Sequence, residues 1–496
     1  LGPRSRTHQQ SGDARGNTTG EAHADESAPA SGLHCLEPCT ELFHTQDLEP
    51  FATVERDGHH ETYAVGSGDL NRYLRWTFFT VTGRHLSKDA ADVLMERMEP
   101  RALFEGQTRA LATRIVQTTA DEIWLDLGEP TTRRAVRIWP QGWVIVDDPP
   151  IKFVRKRGML PLPAPTPPLP GETLETLLRA YLNVPADPRS DPAAAPTPGR
   201  DWVLAVSWLL AALRPQGPFA VLQFKGPPGA GKSTVARVLR SLIDPNAVAL
   251  DSEPRELRDV AIAARSCWLM VYDNLNNLSG KMSDTFCRLA TGGGFRTRQL
   301  YSDEEDRLFS FLRPVLLTGV GEVITAPDLL DRTLGISLVR VPETRRRTEG
   351  RFWTAFAQEA PRILGALLDV LSQALAQFPL VQDDVKQPLP RMADFAQWGI
   401  AVERAMGWPA GTFVAAYSDT RRDASDVALD GSAITLPLFE WLNGRREDGE
   451  SRKWEGTMTE LLREVEFKLG YIPEGNFGKA KPAGWPRSPN GFSHEI

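Results

Sequence analysis

A glycine-rich motif lies between an apolar run and an amphipathic segment near the middle of this 496-residue chain. Residues Gly226-Pro-Pro-Gly-Ala-Gly-Lys-Ser233 match the pattern G-x-x-x-x-G-K-[ST] without exception. The apolar run at 219–224 suits a buried strand, and apolar residues recur at helical spacing from 235 to 242. The sequence therefore predicts a strand, a phosphate-binding loop (P-loop) and a helix, in that order.

The residue types of this motif explain how it would bind a ligand. Glycines let the backbone wrap around a phosphate, while loop N–H groups and the helix N-terminus supply positive potential. Lys232 is expected to reach the β- and γ-phosphates, and the Ser233 hydroxyl to ligate Mg²⁺. We predict that ATP with Mg²⁺ is bound by the loop and the start of the helix, namely Gly226, Pro227, Pro228, Gly229, Ala230, Gly231, Lys232, Ser233 and Thr234.

A P-loop needs a second strand that ends in an acid to hold Mg²⁺ through water. The apolar run at 267–272 ends at Asp273, which is the predicted acid; the alternative is an aspartate that merely ends a strand. The next residue is Asn274, at a position where many ATPases place Glu or Asp to polarise the attacking water. An amide orients water but does not accept its proton, so the rate of hydrolysis stays open.

Two further runs complete a recognisable order of motifs. The run Leu289-Ala-Thr-Gly-Gly-Gly-Phe-Arg-Thr-Arg-Gln-Leu-Tyr301 follows Asp273, and an apolar run at 314–318 then precedes Pro327-Asp-Leu-Leu-Asp-Arg332. With these features, residues 201–341 resemble the superfamily 3 helicases, AAA+-like motors of phages, plasmids and viruses. The stretch is also similar to ATP-binding proteins of phage and integrative elements. The resemblance implies a helicase-like ATPase that acts on DNA in mobile-element replication, assembled as a ring that is expected to be hexameric.

The resemblance also assigns roles to single residues. Thr318 stands where these motors usually place a sensor Asn, and Arg332 where a neighbouring subunit would present an arginine to the γ-phosphate. The alternative for Arg332 is a surface ion pair. Arg391 opens a lid-like helix and is either a nucleotide sensor or part of an ion pair at the helix start. The predicted catalytic set is Lys232, Asp273, Asn274, Thr318 and Arg332.

Arg296 and Arg298 lie in the run that resembles the channel-facing β-hairpin of these motors. Side chains two residues apart share one face of a strand, so both arginines would contact a nucleic-acid backbone together. The alternative is that they pair with the acidic residues at 303–306. Both interpretations remain open from the sequence.

Alternating strand-like and helix-like segments predict an α/β P-loop core with a parallel sheet, and the resemblance implies that this core is AAA+-like. A small α+β domain is expected before it and a helical subdomain after it. The predicted units are a disordered segment (1–40), the α+β domain (41–155), a Pro-rich linker or strap with a helix (156–200), the core (201–345), the helical subdomain (346–425) and a partial winged-helix-like unit (430–496).

The net charge of −7 gives the chain no overall basic field, so any contact with DNA would come from a local patch. The four cysteines are too few for a disulfide framework and favour a reducing compartment. The longest apolar run, 202–213, spans 12 residues and predicts a core helix, since a membrane helix needs about 20. We expect a cytoplasmic protein without a membrane span.

Three functions compete at this stage. The first is a DNA-dependent motor, and the second is a regulatory ATP switch or scaffold whose hydrolysis is slow because of Asn274. The third is a small-molecule kinase, which would need an arginine-rich lid soon after the P-loop helix. Only Arg255 and Arg258 follow there, so the kinase ranks last.

Overall fold

The computed structural model describes most of the chain beyond residue 39, and the predicted disordered segment lies outside that part except at its last residue. The described residues are 40–56, 58–184, 198–298, 306–321, 323–384, 389–431, 434–447 and 454–471, with isolated positions between 479 and 493. They form two compact units. The first contains the described residues up to Glu55 together with Tyr63–Thr108, and the second contains the described residues of 56–62 and those from Arg109 onward.

The first unit combines short strands with two helices. The first helix ends at Gly83, which adopts a left-handed conformation with φ 70°. The second helix begins after Ser87, whose hydroxyl caps its N-terminus. Strand β1 pairs antiparallel with β2 and parallel with β4. The elements here are β1 (Thr40–His44), β2 (Pro50–Arg56), α1 (Gly68–Thr82), α2 (Lys88–Phe104) and β4 (Gln107–Thr108). A further strand, β3 (His59–Ala64), belongs to this unit only from Tyr63 onward.

The second unit opens with an antiparallel sheet in the order β6-β7-β8-β9. Alternate residues such as Ile123, Val136 and Ile138 are buried in the main hydrophobic core of this unit. Residues 109–155 therefore group with the parallel-sheet core that follows, whereas the sequence placed all of 41–155 in one small domain. The strands are β5 (Leu111–Ala112), β6 (Ile115–Thr119), β7 (Glu122–Asp126), β8 (Ala135–Trp139), β9 (Gly142–Val146) and β10 (Lys152–Phe153).

The Pro-rich stretch after this sheet lies against a long helix, α9 (Glu349–Asp384). The Thr166 N–H donates to the Pro361 carbonyl at 3.0 Å. A side chain at position 365 would lie 1.9 Å from the Thr166 carbonyl oxygen, so Gly365 permits this close approach. The stretch is thus a strap on the helix, and it leads into α3 (Leu174–Leu178).

A four-stranded parallel sheet forms the centre of the second unit, in the order β12-β15-β11-β16. The predicted mixed α/β class with a parallel sheet is confirmed. The apolar run 202–213 is a buried helix, as predicted. These elements are α4 (Arg200–Ala212), β11 (Val221–Lys225), α5 (Lys232–Ile243), α6 (Leu257–Ser266), β12 (Met270–Leu275), α7 (Gly280–Thr291), β15 (Val315–Gly319), α8 (Pro327–Leu330) and β16 (Thr333–Ser337).

A separate antiparallel hairpin joins α7 to β15. It consists of β13 (Gly294–Arg298) and β14 (Asp306–Ser310), with position 296 opposite 308 and position 298 opposite 306. The run that contains Arg296 and Arg298 is therefore a strand, as the hairpin interpretation requires. The predicted contacts of these two side chains and the acidic residues at 303–305 lie outside what the structure describes.

Helices make up most of the remaining chain. Apolar residues recur at helical spacing at 352–356 and 363–378, and both blocks lie in the single helix α9. Pro361 lies within this helix, whose buried face continues through Ile363 and Leu364. Among the described residues α9 is the one helix long and apolar enough to cross a membrane, yet 61% of its most apolar window is buried inside the protein. The other helices are α10 (Ala393–Ala405), α11 (Thr412–Gly431), α12 (Thr435–Glu447) and α13 (Met458–Lys468).

Helices α12 and α13 share a small apolar cluster around Trp441, Leu462 and Val465. The winged-helix interpretation of 430–496 stays a prediction, since most residues beyond Tyr471 lie outside the described part of the chain.

Candidate nucleotide-binding site

The glycine-rich loop (residues 226–231) leaves the carboxyl edge of the sheet between β11 and α5. Gly226 has φ 146°, and a Cβ there would lie 2.5 Å from the Leu338 carbonyl oxygen. Gly229 and Gly231 also have positive φ, 80° and 81°. These conformations are accessible to glycine and strained for other residues, which explains the spacing of glycines in the motif.

Lys232, the first residue of α5, extends back across this loop. Its Nζ donates to the Gly226 carbonyl at 2.7 Å and lies 3.3 Å from the Pro227 carbonyl. The ammonium group therefore lies inside the curve of the loop. A phosphate held by the loop N–H groups would find its counter-charge there.

Ser233 and Asp273 meet although 40 residues separate them in the chain. The Ser233 Oγ lies 2.9 Å from both carboxylate oxygens of Asp273. A hydroxyl and a carboxylate are the oxygen ligands that suit Mg²⁺. No group of three or more His, Cys, Asp and Glu side chains in the described part of the chain could hold a metal by itself. A Mg²⁺ ion here would thus need phosphate oxygens and water to complete its shell.

Asp273 and Asn274 lie at an irregularity of β12. Tyr272 pairs with Leu317 and Leu275 pairs with Gly319, so two residues of β12 lie opposite Thr318 alone. The Thr318 hydroxyl, 1% exposed, donates to Asp273 and accepts a hydrogen bond from the Asn274 N–H at 3.1 Å. Thr318 thus fixes the end of β12 where the predicted magnesium residue stands.

Asn274 has φ 58°, the left-handed region of backbone space. Asn is among the few residues other than glycine that adopt this conformation readily, because its short amide side chain is compatible with it. The conformation therefore disfavours Glu at this position but is compatible with Asp, so it explains a short side chain and not the lack of a carboxylate.

Asn183 is a residue of this site that the sequence analysis missed. Its Nδ2 donates to the Ala230 carbonyl of the glycine-rich loop at 3.0 Å and to the Val339 carbonyl at 2.5 Å. The Val341 N–H also donates to the Gly229 carbonyl, at 3.2 Å. The loop is therefore tied to the chain that follows β16. No local pattern marks Asn183, because both of its partners are distant in sequence.

Arg332 lies at the amino edge of the sheet, the edge opposite the glycine-rich loop. Thr333, the next residue, pairs with Val221 at the start of β11, and Ser337 pairs with Lys225 four rows later. Arg332 and Ser337 are therefore five residues apart, about 16 Å along the strand at ~3.3 Å per residue. Arg332 forms an ion pair with Asp328 and donates to the Asp328 backbone carbonyl at 2.7 Å. Within one chain, then, Arg332 is part of an ion pair and is remote from the loop.

Asp328 and Asp331, in and directly after α8 (Pro327–Leu330), also accept hydrogen bonds from two arginines of the chain that follows α9. Arg391 donates to Asp328 Oδ1 and Asp331 Oδ2, both at 2.8 Å, and Arg421 of α11 donates to Asp331 Oδ1 at 2.8 Å. The hydrogen bond from Arg332 is the main cause that lowers the pKa of Asp328. Burial raises the pKa of Asp331, but the hydrogen bonds from Arg421 and Arg391 outweigh it, so that pKa is lowered too. Of the two roles considered for Arg391, nucleotide sensor and ion pair, these contacts correspond to the ion pair.

Comparison with known proteins gives relationships at low identity. No curated protein matches the chain. Among solved structures, the apo A form of the NrS-1 C-terminal region is 12% identical, with a TM-score of 0.38 over 87% of this chain and 83% of that one. The X-ray structure of JCV helicase is 13% identical, with a TM-score of 0.21 over 46% of this chain and 65% of that one.

A family model gives the more specific relationship. Residues 197–426 match the actinomycete integrative conjugative element replication protein family. The match runs from just before α4 into α11, so it includes the glycine-rich loop, Asp273, Arg332 and Arg391. It agrees with the coarser part of the resemblance stated above: this region is similar to replication proteins of integrative elements.

Proposed function

We propose that this chain binds ATP with Mg²⁺, hydrolyses it, and acts as a helicase-like protein on DNA during replication of a mobile element. The observation that carries the proposal is the convergence of Lys232, Ser233 and Asp273 at the mouth of the glycine-rich loop. An ammonium group for the phosphates, a hydroxyl ligand for the metal and a carboxylate to hold it through water lie together at the carboxyl edge of a parallel sheet. Ligands of open α/β sheets bind at that edge.

These contacts suggest a role for each residue of the site. The loop N–H groups and the N-terminus of α5 bind the phosphates, and Lys232 exchanges its carbonyl partners for phosphate oxygens. Ser233 ligates Mg²⁺, and Asp273 holds the ion through water. Thr318 keeps Asp273 in place.

The family match supports DNA replication as the process, since it relates residues 197–426 to replication proteins. The hairpin β13–β14 supports contact with a nucleic-acid strand, because positions 296 and 298 share one face of β13. Backbone contact by two arginines would be insensitive to sequence and sensitive to salt. A motor that tracks along DNA needs that kind of contact.

Arg332 supports assembly of several copies. It lies about 16 Å from the carboxyl edge of its own sheet, at ~3.3 Å per residue, so it would serve a nucleotide bound by a neighbouring copy. Arginines supplied in this way accelerate phosphoryl transfer by about 10³- to 10⁵-fold in other nucleotidases. We therefore propose a ring in which Arg332 of each subunit completes the next subunit's site.

ATP turnover with and without single-stranded or duplex DNA tests this function. We expect DNA to raise the rate in the wild type, Arg298→Ala to abolish the stimulation while ATP still binds, and Arg351→Ala, an exposed arginine of α9, to behave as wild type. Native mass measurement with ATP should detect the ring. A rate that DNA leaves unchanged over a range of salt concentrations contradicts the motor.

A mixing experiment tests the subunit arrangement. Lys232→Ala has no working P-loop but retains Arg332, and Arg332→Ala has the converse defect. Mixed rings should hydrolyse ATP faster than either variant alone, because one subunit supplies the loop and the other the arginine. Mass measurement shows whether the mixed rings contain both variants. If they do and the activity does not rise, Arg332 has no role in trans.

Asn274 favours a second candidate, a regulatory ATP switch. Its amide does not take a proton from water, and its backbone conformation disfavours Glu at this position. The switch predicts tight ATP binding and ATP-dependent assembly with no measurable turnover, whether DNA is present or not. The motor predicts turnover that depends on DNA, so the same assay separates the two.

A further inference from the structure

Two aspartates beside α8 are held by three arginines that come from different parts of the second unit. Asp328 lies within α8, Asp331 ends it, and Arg332 follows directly. Arg391 stands two residues before α10, and Arg421 lies in α11. Three guanidinium groups thus meet two carboxylates.

The position of this cluster separates Arg391 from the nucleotide site of its own chain. Arg391 contacts the element that precedes β16, whereas the glycine-rich loop follows β11 at the other edge of the sheet. A lid arginine that sensed the nucleotide of its own subunit would have to lie at the loop. The contacts of Arg391 instead connect it to Arg332.

One carboxylate oxygen is shared between the two arginines. Arg332 Nη1 and Arg391 Nη2 both contact Asp328 Oδ1. The second contact of Arg391 is with Asp331, whose other oxygen accepts from Arg421. If Arg332 turns toward a phosphate on a neighbouring subunit, Asp328 keeps Arg391 as its partner and α8 stays fixed to the helical segment.

We propose that Arg391 is a positioning residue for Arg332. Through Asp328 and Asp331 it fixes α8 to the start of α10, and so sets the direction in which Arg332 faces the adjacent subunit. The inference rests on the proposed action of Arg332 in trans. It makes the helical segment part of the catalytic geometry of the neighbouring site, so movement of α10 changes the rate of hydrolysis there.

Steady-state kinetics test this role. Arg391→Ala should lower kcat by about ten- to a hundredfold, since a displacement of about 1 Å costs up to about 10²-fold, and should leave the KM for ATP unchanged. Arg391→Lys keeps the charge but loses the two-pronged contact, so an intermediate kcat is expected. Arg404→Ala is the matched control, because Arg404 lies in α10 and pairs with Asp384 on the surface at 3.3 Å.

A double variant tests whether Arg391 acts through Arg332. In the Arg332→Ala background, Arg391→Ala should cause no further loss of kcat. An additive loss would mean that Arg391 contacts the phosphates itself, and a changed KM with normal kcat would mean a binding role. Either result overturns the proposal, as does an Arg391→Ala variant with wild-type kcat.

Mixed rings separate this inference from the proposed function. Arg391→Ala mixed with Lys232→Ala should regain activity, because the Lys232→Ala subunit supplies a correctly aimed Arg332 to an intact site. If Arg332→Ala mixed with Lys232→Ala regains activity and the Arg391→Ala mixture does not, Arg391 does not position Arg332, while the action of Arg332 in trans stands. If neither mixture regains activity, the trans arrangement itself is wrong.

Discussion

The Ser233 hydroxyl lies 2.9 Å from each of the two carboxylate oxygens of Asp273, so the two predicted magnesium residues face each other directly. A hydroxyl this close to a carboxylate is restrained by it before any ligand binds. With Mg²⁺ and ATP bound, Ser233 would supply a hydroxyl ligand and Asp273 would hold the ion through water. The pair therefore predicts how the metal affinity depends on each side chain.

We expect Ser233→Ala to weaken the response to Mg²⁺ specifically. ATP affinity without metal should stay near the wild-type value, whereas the gain in affinity on adding Mg²⁺ should fall about tenfold or more, since bonds to charged groups contribute about 1.5–3 kcal/mol. Titration calorimetry with and without Mg²⁺ measures both quantities. Ser241→Ala is the control, because that hydroxyl in α5 donates only to the Arg237 carbonyl. A normal Mg²⁺ response in Ser233→Ala would remove Ser233 from the metal site.

Gly226→Ala should abolish ATP binding while the fold is retained. The added Cβ would lie 2.5 Å from the Leu338 carbonyl oxygen, and the residue has φ 146°, so the loop must move away from its position. Gly280→Ala, at the first position of α7, meets no atom within 4 Å and serves as the matched control. Fluorescent nucleotide binding and thermal unfolding distinguish a displaced loop from a damaged fold. Wild-type affinity in Gly226→Ala would show that the loop tolerates another conformation.

Asn183 should contribute to ATP affinity without touching the nucleotide. Asn183→Leu keeps the approximate shape of the side chain without adding charge, but loses the donor to the Ala230 and Val339 carbonyls. Two lost bonds at about 0.5–1.5 kcal/mol each predict about a five- to hundredfold weaker affinity if the loop must be reordered on binding. Asn183→Ala should give a similar loss, measured as Kd for ATP. An unchanged Kd in both variants would limit Asn183 to fold stability, which thermal unfolding then reports.

The glycine-rich loop could be predicted from the sequence because its information is local. Strand, glycines and helix follow one another within about 25 residues, and each has its own spacing rule. The contacts of Asn183 could not be predicted in this way, since Val339 is 156 residues further along the chain. The Arg391 contact with Asp328 spans 63 residues and depends on how α10 packs. Sequence spacing alone therefore does not decide whether Arg391 senses nucleotide or forms an ion pair.

Residues 109–155 illustrate the same limit at the level of domains. In the sequence, the short β-like runs at 123–127, 135–138 and 143–146 predict strands, and the structure has strands there. Which unit a strand belongs to depends on what its apolar face packs against. Val136 and Ile138 lie in the core shared with the parallel sheet. The strand sequence predicts which residues are apolar but not which other elements they pack against.

Asn274 links backbone conformation to hydrolysis rate. We expect Asn274→Asp to raise kcat about tenfold or more, because Asp also tolerates the left-handed conformation and supplies a carboxylate that accepts a proton from water. Asn274→Gly keeps the backbone conformation without any polar group, and its kcat should stay at or below the wild-type value. Single-turnover ATP hydrolysis measures the chemical step directly. A kcat in Asn274→Asp that does not rise would mean that proton transfer at this position does not limit the reaction.

The arginine–aspartate cluster predicts a dependence of stability on pH. Arg421 and Arg391 hold the pKa of Asp331 below its ordinary value of 3.8, against the opposing effect of burial. The unfolded chain therefore binds this proton more readily than the folded protein. The stabilisation that results is fully present above about pH 3.8 and is lost as the pH falls through the lower pKa of the folded state.

Asp331→Asn should accordingly flatten the loss of stability in acid. At pH 7 the variant should be less stable by about 1 kcal/mol, a modest cost because Arg391 and Arg421 are 48% and 37% exposed. Between pH 5 and pH 3 its free energy of unfolding in urea should fall less than that of the wild type. Asp328→Asn should act in the same direction, since Arg332 lowers the pKa of Asp328. Parallel pH profiles for the wild type and Asp331→Asn would mean that the cluster does not hold this carboxylate in its charged form.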